Sequence, residues 1–217
     1  MRGFESHRPP HFRLFTMLQK IKRLLNILRP IKYVNRGNGN SLIYEKPFYG
    51  RKSTVKIYGN NNKVVFKEKC YLHNCHITIG FPDCPANNCY IEIGEHTSFN
   101  GGTIQLGEDN SKVIIGSDCM FSFGIELNCT DSHSVLDENE NLLNRGRFIE
   151  IGSNVWVCKN AVILKNTKVP DNSIVSQNSI VTKQFEEKGT VIAGNPARQV
   201  KSGIHWKSDR PNNLLKD

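Results

Sequence analysis

The sequence predicts an all-β chain coiled into a three-sided prism. A hydrophobic repeat of period six, a small or β-branched residue at a fixed offset within it, and the absence of long helical periodicity together predict this class. From residue 151 the repeat is unbroken: Ile151, Val157, Ile163, Val169, Val175 and Val181 follow one another at six-residue intervals. Four residues after each of the first five stand Val155, Ala161, Thr167, Ser173 and Ser179. Neither an amphipathic helix at 3.6 residues nor a plain strand at 2 produces this period. A short strand and a bend with one aliphatic turned inward describes one wall of a prism. Three such units make a coil of about 18 residues, stacked at roughly the 4.8 Å strand spacing.

The same phase runs backward with interruptions. Ile115, Phe121 and Leu127 form one coil, Ile93 and Phe99 begin another, and Phe66 and Leu72 an earlier one. Coil starts at 66, 93, 115, 151 and 169 predict about five coils over residues 51–183. Spacing in excess of 18 residues marks a small insertion at 81–90 and a large one at about 132–149. Loops inserted into a rigid repeat often carry function, which directs attention to the second.

Residues 17–50 are expected to hold a basic helix and a lead-in. Leu18, Ile21, Leu24, Leu25 and Leu28 recur at helical spacing with Lys20, Lys22, Arg23 and Arg29 between them, and Pro30 ends the run. This helix either caps the open end of the prism or lies on a membrane surface. Residues 1–16 have no periodicity and are expected to be unstructured or to precede a true start at Met17. Residues 184–217 leave the prism as a loop and a polar tail.

Composition narrows the classes. With 38% hydrophobic and 23% charged residues among 217, the chain is neither disordered nor collagenous. The net charge of +9 is concentrated in residues 1–33, which hold eight Lys/Arg against Glu5. Removing these from the totals of 29 and 20 leaves 21 against 19, so a nucleic-acid footprint would rest on the N-terminal arm alone, and none is expected. No apolar run approaches a membrane span, and no secretory h-region is evident; a cytoplasmic location is expected. The odd set of seven cysteines then reads as free thiols.

Three motifs in order, T-D-S-H-S at 130–134, I-G-S-N-V-W-V at 151–157, and S-I-V-T-K at 179–183 followed by A-G-N-P-A-R at 193–198, resemble the hexapeptide-repeat acyltransferases. The similarity is greatest to the galactoside, maltose and xenobiotic O-acetyltransferases and their surface-polysaccharide relatives, and it covers roughly residues 91–201. It implies a left-handed parallel β-helix, to which the spacing over 18–28 adds a short N-terminal helix, assembled as a homotrimer with active sites between neighbouring prisms. The implied reaction moves an acetyl group from acetyl-coenzyme A to a hydroxyl, here that of a sugar in surface polysaccharide biosynthesis.

An alcohol is a poor nucleophile until its proton is removed, and an imidazole titrates near neutrality. The resemblance makes His133 that base, with direct attack on the thioester. Asp131 either orients the imidazole or stabilises a turn. Trp156 lines the acceptor or pantetheine channel by the same resemblance. Lys183 and Arg198 are expected to meet the phosphates of coenzyme A. Gly194, Asn195 and Pro196 shape the loop at its adenine end, and the backbone near Ala161 and Ser179 runs beside the pantetheine arm, where small side chains keep the groove open. Cys158 stands where the family usually has glycine, and Ser176-Gln177-Asn178 replaces Gly-Ala-Gly.

Other readings make different predictions. A soluble acceptor, such as an antibiotic or a free sugar, uses the same chemistry. A γ-carbonic-anhydrase-like site would need three convergent histidines and an open position, and His73, His76 and His96 are the only plausible set. No metal is expected. A non-catalytic scaffold would keep the repeat without His133, Trp156, Lys183 and Arg198 together.

Overall fold

The computed structural model describes residues 31–209. The basic helix expected over 18–29 and the segment 1–16 lie outside the described residues, as does the end of the tail.

Twenty-one strands wind through the described residues. The first coil holds β1 (Ile31–Arg36), β2 (Ser41–Tyr44) and β3 (Tyr49–Arg51). The second and third hold β4 (Ser53–Tyr58), β5 (Lys63–Phe66) and β6 (Tyr71–His73), then β7 (Cys75–Ile79), β8 (Tyr90–Ile93) and β9 (Ser98–Phe99). The fourth and fifth hold β10 (Gly102–Leu106), β11 (Lys112–Ile115) and β12 (Met120–Phe121), then β13 (Ile125–Cys129), β14 (Phe148–Ile151) and β15 (Trp156–Val157). The sixth holds β16 (Val162–Leu164), β17 (Thr167–Val169) and β18 (Ile174–Val175). A seventh turn begins with β19 (Ile180–Val181), and β20 (Val191–Gly194) and β21 (Ala197–Lys201) close the stack.

Every third strand joins the same sheet. Face 1 is β1-β4-β7-β10-β13-β16-β19, face 2 is β2-β5-β8-β11-β14-β17, and face 3 runs from β3 through β6, β9, β12, β15, β18 and β20 to β21. All pairings are parallel except β20 with β21, and the prism is a left-handed β-helix.

The repeat marks the inward positions. Ile151, Val157, Ile163, Val169, Val175 and Val181 are all buried, as are Phe66, Leu72, Ile93, Phe99, Ile115, Phe121 and Leu127. Phe99 and Phe121 stack on adjacent coils with centroids 4.2 Å apart and planes 9° from parallel. Asparagine makes the corners: Asn154, Asn160, Asn166, Asn172 and Asn178 have φ between 53° and 60°, each immediately before a small buried residue. Asparagine enters this left-handed region more readily than other side chains. Its carboxamide also links coils, with Asn154 Nδ2 donating to Asn172 Oδ1 at 3.0 Å and Asn160 Nδ2 to Asn178 Oδ1 at 3.2 Å.

Three boundaries differ from the sequence expectation. At the C-terminal end the prism continues past 183 instead of giving way to a loop and tail, because β20 pairs in parallel with β18 on face 3 and carries β21 as its edge. The parallel stack begins at Ile31 rather than 51, because β1 pairs with β4 over Ile31↔Ser53 to Arg36↔Tyr58. Residues 31–50 are therefore a first coil and not a lead-in, giving six complete coils instead of about five. The large insertion occupies 130–147, since Phe148 and Ile149 already pair with Lys112 and Val113.

The seven cysteines are free thiols. Cys70 and Cys119 are buried at corners, where their Sγ atoms reach the carbonyls of Gly94 (3.0 Å) and Gly152 (3.1 Å).

Candidate active site

The large insertion leaves the prism at the corner between faces 1 and 2 and carries His133 on its exposed surface. Its neck is tied down by side chains. Asn144 Nδ2 donates to Asp131 Oδ2 and to the carbonyl of His133, both at 2.8 Å, and Val135 N–H donates to Asn144 Oδ1 at 2.9 Å. Lys165, one coil on at the same corner, pairs with Asp131. Asn166 accepts from Arg147 N–H at 2.9 Å and donates to the carbonyl of Arg145 at 2.9 Å. Asp131 thus holds the loop backbone through Asn144 and Lys165; its carboxylate partners do not include the His133 ring.

The hydrogen bond from Lys165 holds the Asp131 carboxyl below its ordinary value, against the opposing effect of burial. A depressed carboxyl contributes stability that is present above the unfolded value of about 3.9 and lost as pH falls through the folded one. Side chains 18% and 39% exposed are screened, so the pair is worth about 0.2–1 kcal/mol. Protection of the amides across 130–147, measured as exchange relative to the intrinsic rate at each pH, is expected to fall in wild type as pH drops through the folded-state Asp131 value. Lys165→Met should exchange faster already at neutral pH; equal exchange in the two proteins at neutral pH contradicts a role for the pair.

Of the remaining candidates, one shares this corner and the others lie elsewhere on the prism. Lys183 follows β19 and precedes Gln184, which bridges to Lys168 on face 2, so it shares the His133 corner. Its Nζ lies over the Phe185 ring at 5.3 Å from the centroid. Ala161 and Ser179 sit at the opposite corner, between faces 3 and 1. Gly194, Asn195 and Pro196 turn β20 into β21 at that same corner, where Gly194 N–H donates to Ser179 Oγ at 3.1 Å. Arg198 is exposed on β21.

The reason expected for the small residues needs correction. Ala161 and Ser179 are fully buried with side chains inside the prism. Their size answers to the crowded interior just after a left-handed corner, so only their backbone faces any groove.

Trp156 opens β15 on face 3, half-buried. Trp206 folds back from the tail to meet it, with ring centroids 5.9 Å apart at 42°, and its Nε1–H donates to the carbonyl of Asn154 at 2.7 Å. Trp206→Ala removes this ring pair, worth about 0.5–1.5 kcal/mol beyond its area. The emission of Trp156 should then shift to the red; an unchanged spectrum contradicts the packing. Beside Trp156, burial pushes the Cys158 thiol up to about 11, leaving it protonated and a poor nucleophile at neutral pH.

The three histidines considered for metal are dispersed within the chain. His73 lies on face 3, the Nδ1 of His76 on face 1 meets Thr54 Oγ1 at 2.9 Å, and His96 faces Asp118 at 3.3 Å at the corner between faces 2 and 3.

No family model matches the chain. A polysialic acid O-acetyltransferase of Neisseria meningitidis is 31% identical over 142 residues, covering 58% of this chain and 66% of that protein. Another, from Escherichia coli O1:K1 / APEC, is 37% identical over 128 residues, covering 58% of this chain and 41% of that protein. Both matches span less than two thirds of the relative's length. The crystal structure of the polysialic acid O-acetyltransferase OatWY superposes with a TM-score of 0.67 and 27% identity over 84% of this chain and 94% of that one. Fold and repeat define a left-handed β-helix protein of the hexapeptide-repeat type. The resemblance to hexapeptide-repeat acyltransferases carried by its three motifs is shown by these relatives, which are named as polysialic acid O-acetyltransferases.

Proposed function

We propose that the protein is an O-acetyltransferase that moves an acetyl group from acetyl-coenzyme A to a sugar hydroxyl of a surface polysaccharide. The observation that carries this reading is an inserted loop, held by its own hydrogen-bond network, that presents His133 beside a prism whose far edge carries the 194–198 turn. His133 takes the proton of the acceptor hydroxyl, and the oxygen attacks the thioester carbonyl. The tetrahedral intermediate collapses with cleavage of the carbon–sulfur bond, and the departing thiolate takes the proton from the imidazolium. No acyl-enzyme is needed, in keeping with the protonated Cys158.

Lys183 and Arg198 meet the phosphates of coenzyme A, and the backbone at Ala161 and Ser179 flanks the pantetheine arm. The corner with His133 and the corner with Ser179 and Gly194 lie on opposite edges of face 1. One chain therefore does not bring them together, and a homotrimer, in which a neighbouring prism supplies the second corner, is the assembly this reading requires. Sedimentation should show a species of three chains, and a fully active monomer contradicts this arrangement.

Thioester cleavage, followed with a thiol reagent, tests the function. Polysialic acid is the first acceptor to try, beside neutral sugars and aminoglycosides. Acceptor-dependent turnover with an acidic polysaccharide is expected. Turnover confined to a soluble antibiotic or free sugar would transfer the activity to that class, and absence of both turnover and coenzyme A binding overturns the reading. Within this proposal the enzyme works in the cytoplasm, and residues 18–29 bring it to lipid-linked substrate at the membrane surface. Equal liposome flotation by the full chain and by one truncated before Ile31 contradicts that last element.

A further inference from the structure

We propose that Glu108 is a positioning residue, clamping both ends of the inserted loop with a single carboxylate and so fixing where His133 meets the acceptor. This rests on the acetyltransferase reading above. Glu108 lies between β10 and β11, at the corner from which the loop emerges one coil later. Its Oε1 accepts from Thr130 Oγ1 at 2.7 Å, at the loop's entry, and its Oε2 accepts from Gly146 N–H, at the exit.

The entry contact leads on to the histidine. Thr130 is 7% exposed, and its hydroxyl oxygen also accepts from Ser132 N–H at 3.0 Å. Ser132 has φ of 63° and immediately precedes His133, so the orientation of the Thr130 hydroxyl bears on the backbone that aims the ring. The exit is shaped to the carboxylate. A Cβ at position 146 would lie 2.3 Å from the carbonyl oxygen of Cys129 and 2.7 Å from Glu108 Oε2, so only glycine admits the approach.

The hydroxyl and the amide each meet a different oxygen of the carboxylate, and a carboxamide has an acceptor oxygen at only one of those two places. Glutamine can retain the amide contact through Oε1 and donate Nε2 to Thr130 Oγ, but it leaves the threonine proton unpaired. A displacement of about 1 Å at a reacting group can cost about 100-fold in rate, so a clamp remote from the chemistry has a kinetic signature.

The test compares wild type, Glu108→Ala, Glu108→Gln and Thr130→Val in two measurements. Hydrogen exchange of residues 130–147 is read without substrate; turnover is read against acetyl-coenzyme A concentration and pH. Glu108→Ala should exchange faster across the loop only and lose about 100-fold in kcat. Its KM for acetyl-coenzyme A and the pH midpoint of kcat/KM should be unchanged. Glu108→Gln should recover part of that loss, and Thr130→Val should fall between the two.

Unchanged loop exchange in Glu108→Ala overturns the clamp. Faster exchange with undiminished kcat overturns the positioning role, as does a loss fully accounted for by a smaller folded fraction. A shifted pH midpoint would make Glu108 a proton carrier and also overturn it. If wild type shows no acetyl-coenzyme A-dependent turnover, the functional reading fails, while the exchange data still decide whether the clamp exists. Should Glu108→Ala not fold, Thr130→Val, which removes the hydroxyl with its bonds to Glu108 and Ser132 but leaves the Gly146 link in place, decides by the same criteria.

Discussion

Replacing His133 by alanine is expected to lower kcat by about 10²–10⁴-fold, the usual contribution of a positioned general base, while leaving coenzyme A affinity unchanged. The separation follows from where the groups sit: of the proposed coenzyme A contacts only Lys183 shares the His133 corner, and it follows β19, two coils beyond β13. His133 stands on the loop between faces 1 and 2, and the 194–198 turn is anchored to Ser179 at the corner between faces 3 and 1. No hydrogen bond of the described residues ties the imidazole into the prism, so truncation removes a reactive group without a structural bond; the loop is held instead by Asn144, Lys165 and Glu108. Titration with coenzyme A and single-turnover thioester cleavage read the two quantities independently. Undiminished turnover in His133→Ala would remove the base from the mechanism.

The second large effect is on stability. Phe121 is fully buried and stacks on Phe99 at 4.2 Å, filling the space between face 3 and the other two. Phe121→Ala leaves a cavity that rigid coils above and below cannot collapse, and a cost of about 3–5 kcal/mol is expected. Phe123, two residues on and 56% exposed, is the internal control. Its alanine variant should stay within about 0.5 kcal/mol of wild type. Urea unfolding at equal slope gives both numbers. Comparable losses at the two positions contradict the assignment of inward and outward faces.

The residues that betrayed the fold are those where geometry leaves no choice. Between 151 and 181 each wall is a minimal unit, with one inward aliphatic, an asparagine corner and a small residue packed behind it. A period of six therefore stands clear. The first coils hide the same architecture. In β4 and β7, five- or six-residue strands alternate inward and outward, as in Ser53, Val55 and Ile57, and read as ordinary period-two strands. Register places Ile31 against Ser53 and Thr54 against His76, a coil of 22 residues, so a search at 18 passes over it.

Candidate site positions were legible where a motif carried them, as with His133, Trp156, Lys183 and the 194–198 turn, whose roles belong to the proposed function. The residues that hold them were not. Glu108 lies 22 residues from Thr130 and 38 from Gly146, Lys165 lies 34 from Asp131, and Trp206 lies 52 from Asn154. Each is an ordinary charged or aromatic residue whose role exists only once the coils are stacked. Trp206, alone in a polar tail, had one available signal: an aromatic with no local partner has to find one elsewhere. The small side chains of Ala161 and Ser179 carried a real constraint assigned to the wrong side of the wall, since size alone does not say whether the crowding comes from a ligand or from the core.

The most direct test of the central claim is to incubate the full chain with acetyl-coenzyme A labelled in its acetyl group and a defined acidic oligosaccharide, and to locate the label by mass spectrometry and NMR. An acetyl ester on a sugar hydroxyl, formed by wild type and absent with His133→Ala, is the predicted result. Label remaining on coenzyme A, or recovered on the protein as a stable acyl adduct on the path to product, would contradict direct transfer by this site.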